Sequence, residues 1–288
     1  MEALVSILVL GSTYALLAAG VVILYKASRV VNFAVGELAI VGGYVFYSAG
    51  VLWSGQSLVM AIATTAAVSV LFGVTVYVAL MRPLIGQPTF VAAMVTIGLA
   101  IVLKAGIVVI WHSRSVGLNL GRTALHTYVQ GGNLRLIDIV TIAAGILFFA
   151  ALFVFFRYAP LGRQFRGVAE NPLLASQRQV NVNLILALAW GAAVFSAALA
   201  GVLFGARSIL SPQSTIIGLS GLTAALVGGL DSLRGAVIGG LLVAAATYAT
   251  ARLIDPVMSD AVPFVILLAV MLRSPWGIFG TQEELNRV

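Results

Sequence analysis

Nine apolar runs, bounded by charges and turn residues near 3–25, 33–52, 58–80, 90–111, 136–156, 184–206, 217–230, 235–251 and 261–273, recur along the whole sequence. A bilayer core of roughly 30 Å requires about 20 apolar residues in helical form. Runs that recur throughout a 288-residue chain therefore predict an all-α integral membrane protein, a polytopic helical bundle of about 8–10 spans. Composition agrees, with 61% hydrophobic and 9% charged residues and a mean hydropathy of +1.10, far from a water-soluble domain. No separate soluble domain fits, so residues 1–288 are expected to form one transmembrane domain. Met1-Glu2 precedes the first run without a basic residue, unlike the charged start of a cleavable signal, and the first span is expected to stay.

Two regions interrupt the pattern. Val30-Val31-Asn32-Phe33-Ala34-Val35-Gly36 leads into Glu37, and Asn32 and Gly36 favour a break at the start of the second span. Later, Gly218, Gly221, Gly228 and Gly229 precede the polar Asp231-Ser232-Leu233-Arg234, with Gly235, Gly239 and Gly240 following. Broken or half helices are expected near residues 28–38 and 215–235, with the runs 217–230 and 235–251 as a pair of half-helices. The glycines leave two roles open. One is close helix packing, since Gly235 and Gly239 stand four apart; the other is broken helices beside a passage, whose ends offer backbone groups to a solute.

The basic residues fix an orientation. With the N-terminus outside, the inner loops carry ten of the 16 basic residues: Lys26, Arg29, Arg82, Arg157, Arg163, Arg166, Arg178, Arg234, Arg273 and Arg287. The outer loops hold Arg114, Arg122, Arg135, Arg207 and Arg252, and Lys104 falls within a span. The excess on one side predicts a multi-pass protein with N-terminus out and C-terminus in. The same topology accounts for the net charge of +7, and no basic stripe interleaved with aromatics points to nucleic acid.

Several chemistries lack their residues. Cysteine is absent and the only histidines are His112 and His126, which excludes disulfides and leaves little for a metal site. Lys26 and Lys104 follow Tyr25 and Leu103, so no phosphate-cradling P-loop exists, and no His-Glu-x-x-His or nucleophile-and-base spacing occurs. The chain is not expected to be an enzyme, and it has no catalytic residues, metal or cofactor of its own.

Charged groups at membrane depth are functional suspects, because each costs roughly 3 kcal/mol on an insertion scale unless it meets a cavity or a partner. Glu37 either lines a pathway or forms a local pair or cap near Arg29. Lys104 is read as snorkelling or pairing across helices, and Asp231 as capping the helix that starts near Leu233. Ser12, Thr13 and Tyr14 form the first polar cluster in the first span, either along a pathway or as interhelical hydrogen-bonding groups. Asn32, Phe33, Glu37, Gly228 and Gly229 complete the candidate substrate-pathway set.

The longest polar interval, 157–183, holds Arg157, Arg163, Arg166 and Arg178. Leu161-Gly162-Arg163-Gln164-Phe165-Arg166-Gly167-Val168-Ala169-Glu170-Asn171-Pro172 reads as a helix, a capped break, and a second short helix through Leu173 to Val180. Asn171 caps, and Pro172 opens the next turn because it has no amide hydrogen to satisfy. Such an elbow between two spans suits docking to another protein.

Three segments together resemble the LivH-type permeases of bacterial branched-chain amino-acid ABC importers: Leu10-Gly11-Ser12-Thr13-Tyr14-Ala15-Leu16 with Val31-Asn32-Phe33-Ala34-Val35-Gly36-Glu37; Gly162-Arg163 through Glu170-Asn171-Pro172; and Ala224 to Gly229 through Gly235-Ala236 and Gly239-Gly240. The resemblance implies a permease subunit in the bacterial cytoplasmic membrane, importing branched-chain or other hydrophobic amino acids by alternating access. It also implies a LivM-type second permease, two ATPases of LivG and LivF type that bind ATP and Mg, and an extracytoplasmic solute-binding protein. By that pattern 157–183 is the cytoplasmic coupling loop, with Arg163, Arg166, Ala169, Glu170, Asn171 and Pro172 transmitting motion.

The sequence departs from the family pattern at Val35, where a His is common, and at Asp231-Ser232-Leu233-Arg234-Gly235, where the family often has Gly-Ser-x-Pro-Gly. Both bear on solute selection, since an imidazole offers hydrogen bonds that valine lacks. Urea, short amides and small organic acids are the alternative solutes within the family. An ion-coupled secondary transporter is the rival from another class, and Glu37 is its one candidate carboxylate; a membrane scaffold without transport is a third reading.

Overall fold

The computed structural model describes residues 2–52, 58–112, 114–118 and 135–281, and these are helical almost throughout. Arg122, His126 and Arg287, and with them most of the 112–135 outer loop, lie outside the described residues. The helices are α1 (Glu2–Ser28), α2 (Val35–Leu52), α3 (Leu58–Val76), α4 (Thr89–Trp111), α5 (Leu136–Tyr158), α6 (Pro160–Glu170), α7 (Pro172–Gln177), α8 (Val182–Arg207), α9 (Ile217–Gly228), α10 (Leu233–Leu253) and α11 (Val262–Arg273). A π turn (Tyr77–Met81) and a 3-10 turn (Arg82–Leu84) prolong α3. Among the described residues, six helical stretches are long and apolar enough to cross a membrane: α1, α3 with its extension, α4, α5, α8 and α10.

Burial sorts them. α1 and α8 are mostly buried and form the centre, whereas α3, α4 and α5 expose most of their surface. α1 packs against α8, α9 and α10, and α2 and α3 lie on α8. Helices that are apolar all round suit this arrangement, because the inner ones bury against protein and the outer ones against hydrocarbon. The buried Ser196 hydroxyl donates to the Leu16 carbonyl at 2.6 Å, tying α8 to α1 without an unpaired polar group.

The breaks fall where the glycine and asparagine pattern placed them. α1 ends in a left-handed residue, Arg29 (φ 56°), whose amide donates to the Tyr25 carbonyl, and Val30–Ala34 run non-helically before α2. α9 has 12 residues, about 18 Å, and is a half-helix. Its expected companion is not: α10 has 21 residues and is a full-length span. The glycines of α10 face neighbouring backbones, Gly235 against Gly228 and Gly240 against Ala15, so helix packing compensates for their weak helix propensity. The other short element is α11, also 12 residues, which coincides with the last apolar run, 261–273, and returns the chain to the end where α10 began.

Two ends of the bundle can be distinguished. At one, the elbow end, α1, α3, α5, α9 and α11 terminate and α4, α8 and α10 begin. Lys26, Arg29, Arg82, Arg157, Arg163, Arg166, Arg178, Arg234 and Arg273 sit there. At the other end, an isolated bridge between Val116 and Leu210 pins the chain leaving α8. There the Tyr44 hydroxyl donates to the Arg114 carbonyl at 2.7 Å, and Trp111 Nε1 donates to Ser48 Oγ at 2.9 Å.

Candidate functional site

The elbow is built as its sequence suggests. Asn171 Oδ1 accepts from the Leu173 and Leu174 amides at 3.0 and 3.1 Å, and Pro172 occupies the first helical position of α7. Asn181 then caps α8 through the Leu184 amide at 3.1 Å. One face of α6 is buried: Phe165 packs edge-on against Phe156 at 5.1 Å, and Val168 is fully covered. Arg166 donates a side-chain hydrogen bond to the Phe156 carbonyl, so this arginine holds α6 on α5. Arg163, Glu170, Asn171 and Pro172 are exposed and Ala169 is half-buried. Sequence reasoning missed Leu173 and Leu174, which are 70% and 56% exposed at the tip of the elbow; only the fold distinguishes them from ordinary core leucines.

Behind the elbow lies a cavity of about 400 Å³. Val168, Ala169, Glu170 and Pro172 form one wall, Ala27–Val30 at the end of α1 another, and residues from Tyr77 to Ala92 a third. A second cavity of about 380 Å³ lies beside it, lined by Tyr25, Arg29, Leu226, Asp231, Trp276 and Thr281 among others. Arg29 borders both, with its guanidinium 5.6 Å from the Tyr25 ring centroid.

The break beyond Arg29 leads to the centre. Asn32 is buried, and its Oδ1 accepts from the Ala34 amide at 3.0 Å, turning the chain into α2. The Phe33 amide donates to Thr96 Oγ1 of α4 at 3.2 Å, and the Phe33 side chain is exposed. Glu37, in the first turn of α2, is half-buried, and Lys104 of α4 is near enough to attract its carboxylate through space. The starts of α2 and α9 meet here. A Cβ on Gly36 would overlap the Thr215 carbonyl, and one on Gly218 would overlap the Gly36 backbone. Gly218 lies about 15 Å along α9 from its elbow-end residue Gly228, so the contact is well inside the bundle. The start of α2 thus meets the segment where a 3-10 turn, Pro212–Ile216, runs directly into α9.

The remaining candidates are dispersed. Ser12 packs against Gly145 of α5, Thr13 Oγ1 donates to the Val9 carbonyl at 3.1 Å, and the Tyr14 hydroxyl sits beside Ser220 and Thr247. Gly228 and Gly229 lie at the elbow end, apart from the central cluster. Gly229 has φ 107°, and the Val227 and Gly228 carbonyls accept from the Ile278 and Phe279 amides. Asp231 does not cap α10. Ser232 does so through the Gly235 amide at 3.0 Å, while Asp231 accepts from the Thr281 amide at 3.1 Å and from its hydroxyl. Either residue could have capped by type; position relative to the first turn decided it. Among the described residues, no group of three or more His, Asp or Glu side chains could hold a metal.

A polytopic bundle with broken helices meeting inside it and a capped helical elbow at its basic end has the architecture of a membrane permease component. The chain belongs to the family described as the permease component of branched-chain amino acid transport systems, which it matches over residues 3–271. It is 30% identical to the high-affinity branched-chain amino acid transport system permease protein LivH of Escherichia coli (strain K12), over 95% of this chain and 93% of that protein. It is also 30% identical to the corresponding permease protein BraD of Pseudomonas aeruginosa, over 98% of this chain and 96% of that protein. Against the probable permease protein LivH of Methanocaldococcus jannaschii the identity is 29%, over 95% of this chain and 90% of that protein.

Proposed function

We propose that this chain is one of two permease subunits of an ATP-driven importer of branched-chain or other hydrophobic amino acids. It sits in the bacterial cytoplasmic membrane with its N-terminus outside and its elbow end inside. The observation that carries this reading is the placement of the elbow: its exposed side presents Glu170, Asn171, Pro172, Leu173 and Leu174, while its inner side walls a cavity shared with the α1–α2 break. A push on the outer side has a short physical route to Asn32, Phe33 and Glu37. The other subunits are a LivM-type permease, two LivG/LivF-type ATPases that bind ATP and Mg, and an extracytoplasmic binding protein.

The mechanism is alternating access. Closure of the ATPases on ATP moves α6 and α7, the cavity walls transmit the motion to the break, and the spans rock to open the passage first outward and then inward. In the passage, the α2 N-terminus suits a solute carboxylate, and Glu37, Phe33 and Tyr14 supply polar and apolar wall. Arg163, Ala169, Glu170, Asn171 and Pro172 face or shape the ATPase contact, and Arg166 anchors it to α5.

The test is Glu170→Gln in the assembled importer in liposomes. Solute-stimulated ATP hydrolysis should persist while uptake falls several-fold, with subunit stoichiometry unchanged. Unaltered uptake together with unaltered stimulated hydrolysis, or failure of ATPase subunits to co-purify with the chain, would refute the reading. A panel of amino acids, urea and short amides offered to the cognate binding protein identifies the solute.

A further inference from the structure

α3 does not end as a regular helix. Over Tyr77–Met81 it widens into a π turn, closed by the Arg82 amide donating to the Tyr77 carbonyl. The local cause is Pro83: in a regular helix its ring would meet the Ala79 carbonyl, and its nitrogen has no hydrogen to donate. A wider turn relieves the clash. With one regular helix bond missing, contacts from outside α3 decide where this turn settles.

Tyr77 makes such a contact. Its ring is buried, and its hydroxyl donates to Asn183 Oδ1 at 2.8 Å, joining positions 106 apart in the chain. Asn183 lies in the first turn of α8, two residues beyond the cap Asn181. α7 leads there through a tight turn, in which Gln179 is left-handed (φ 61°) and the Val180 amide donates to the Ala175 carbonyl at 3.1 Å. The exit of the elbow is therefore bonded to the wide turn of α3, as Arg166 bonds its entrance to α5. Tyr77 and Met81 also line the cavity behind the elbow. Beyond the wide turn, residues 82–88 lead into α4, and about two turns along that helix Thr96 accepts from the Phe33 amide in the α1–α2 break.

We propose that Tyr77 and Asn183 are positioning residues for energy coupling: their hydrogen bond carries displacement of the elbow into the wide turn of α3, and from there through α4 to the break at Phe33. The proposal rests on the importer reading above and deepens it by naming a bond through which the elbow acts. The wide turn is the yielding joint of that route, because it can follow α8 without unwinding the rest of α3.

Tyr77→Phe keeps the ring and deletes the hydroxyl, and Asn183→Ala deletes the acceptor. In the assembled importer in liposomes, each should lower uptake per ATP hydrolysed several-fold, and hydrogen exchange across residues 78–85 should quicken. The double variant should be no worse than either single one, as expected for two residues acting through one bond. Asn183→Asp keeps an acceptor oxygen and should restore most of the ratio. Thr75→Val is the control on the same helix, since the Thr75 hydroxyl donates to the Leu71 carbonyl of α3 itself; its ratio should match the parent. An unchanged ratio in Tyr77→Phe, additive losses in the double variant, or an equal loss in Thr75→Val overturns the proposal while the importer still works. Loss of assembly in both single variants assigns the bond to folding and also overturns it. Failure of ATPase subunits to co-purify with the parent chain refutes the importer reading, and the proposal with it.

Discussion

Gly36 at the start of α2 and Gly218 at the start of α9 are in backbone contact well inside the bundle, with no room for a Cβ on either. Two buried helix starts meet only because both residues lack side chains.

Gly36→Ala and Gly218→Ala should therefore each destabilise the detergent-solubilised protein by about 1–3 kcal/mol, the range for overpacking a filled interior. Uptake should fall more than the folded yield. Gly98→Ala is the control: its Cβ would meet no atom within 4 Å, so it should be neutral or stabilising by about 0.5–1 kcal/mol. Thermal melting monitored by size-exclusion chromatography separates the two outcomes.

Thr96→Val removes the acceptor for the Phe33 amide while keeping the shape of the side chain. A partly buried amide left unpaired costs about 1–3 kcal/mol. The strain falls on the α1–α2 break, so uptake should drop with subunit assembly intact, and Thr96→Ser should restore most of it. Transport assays on matched amounts of assembled complex check this.

Asn171→Ala deletes the cap of α7 and should weaken that helix by about 1 kcal/mol. Hydrogen exchange at the Leu173 and Leu174 amides should quicken, since both lose their acceptor. Asn171→Asp keeps a capping oxygen and should retain slow exchange.

Arg207→Ala strands a buried carboxylate. Arg207 Nε lies 3.5 Å from Asp138 Oδ1, which has no hydrogen-bond partner among the described residues, while Asp138 Oδ2 accepts from the Arg135 amide at 3.2 Å. Breaking a fully buried pair costs about 3–5 kcal/mol; Arg207 is 26% exposed, so roughly 2 kcal/mol is expected after screening. Asp138→Asn added to Arg207→Ala should recover much of the loss, because the amide oxygen still serves Arg135 and no charge remains buried. Melting curves of the single and double variants decide.

Much of the architecture was legible because it is local. Run length gave the long spans, Asn171-Pro172 gave the break within the elbow, and Asn32 with Gly36 marked the break before α2. The glycine-rich pair misled in one half, since glycine content alone does not say which of two such segments is short: α9 is, while α10, despite Gly235, Gly239 and Gly240, is long. Of the candidate pathway residues, Asn32, Phe33 and Glu37 cluster as neighbours in sequence. Ser12, Thr13 and Tyr14 face different helices because consecutive positions on a helix point about 100° apart.

The sequence by itself determined that this chain is a membrane bundle, where its helices break and where an elbow stands at the basic end, since apolar length, caps and glycines act through nearest neighbours along the chain. Only the tertiary structure decided that Gly36 meets Gly218, that Thr96 holds Phe33, that Asp231 ties down Thr281 and that the elbow and the α1–α2 break wall one cavity. Those contacts join residues far apart in the chain, and which apolar faces pack together depends on the shape of every helix at once.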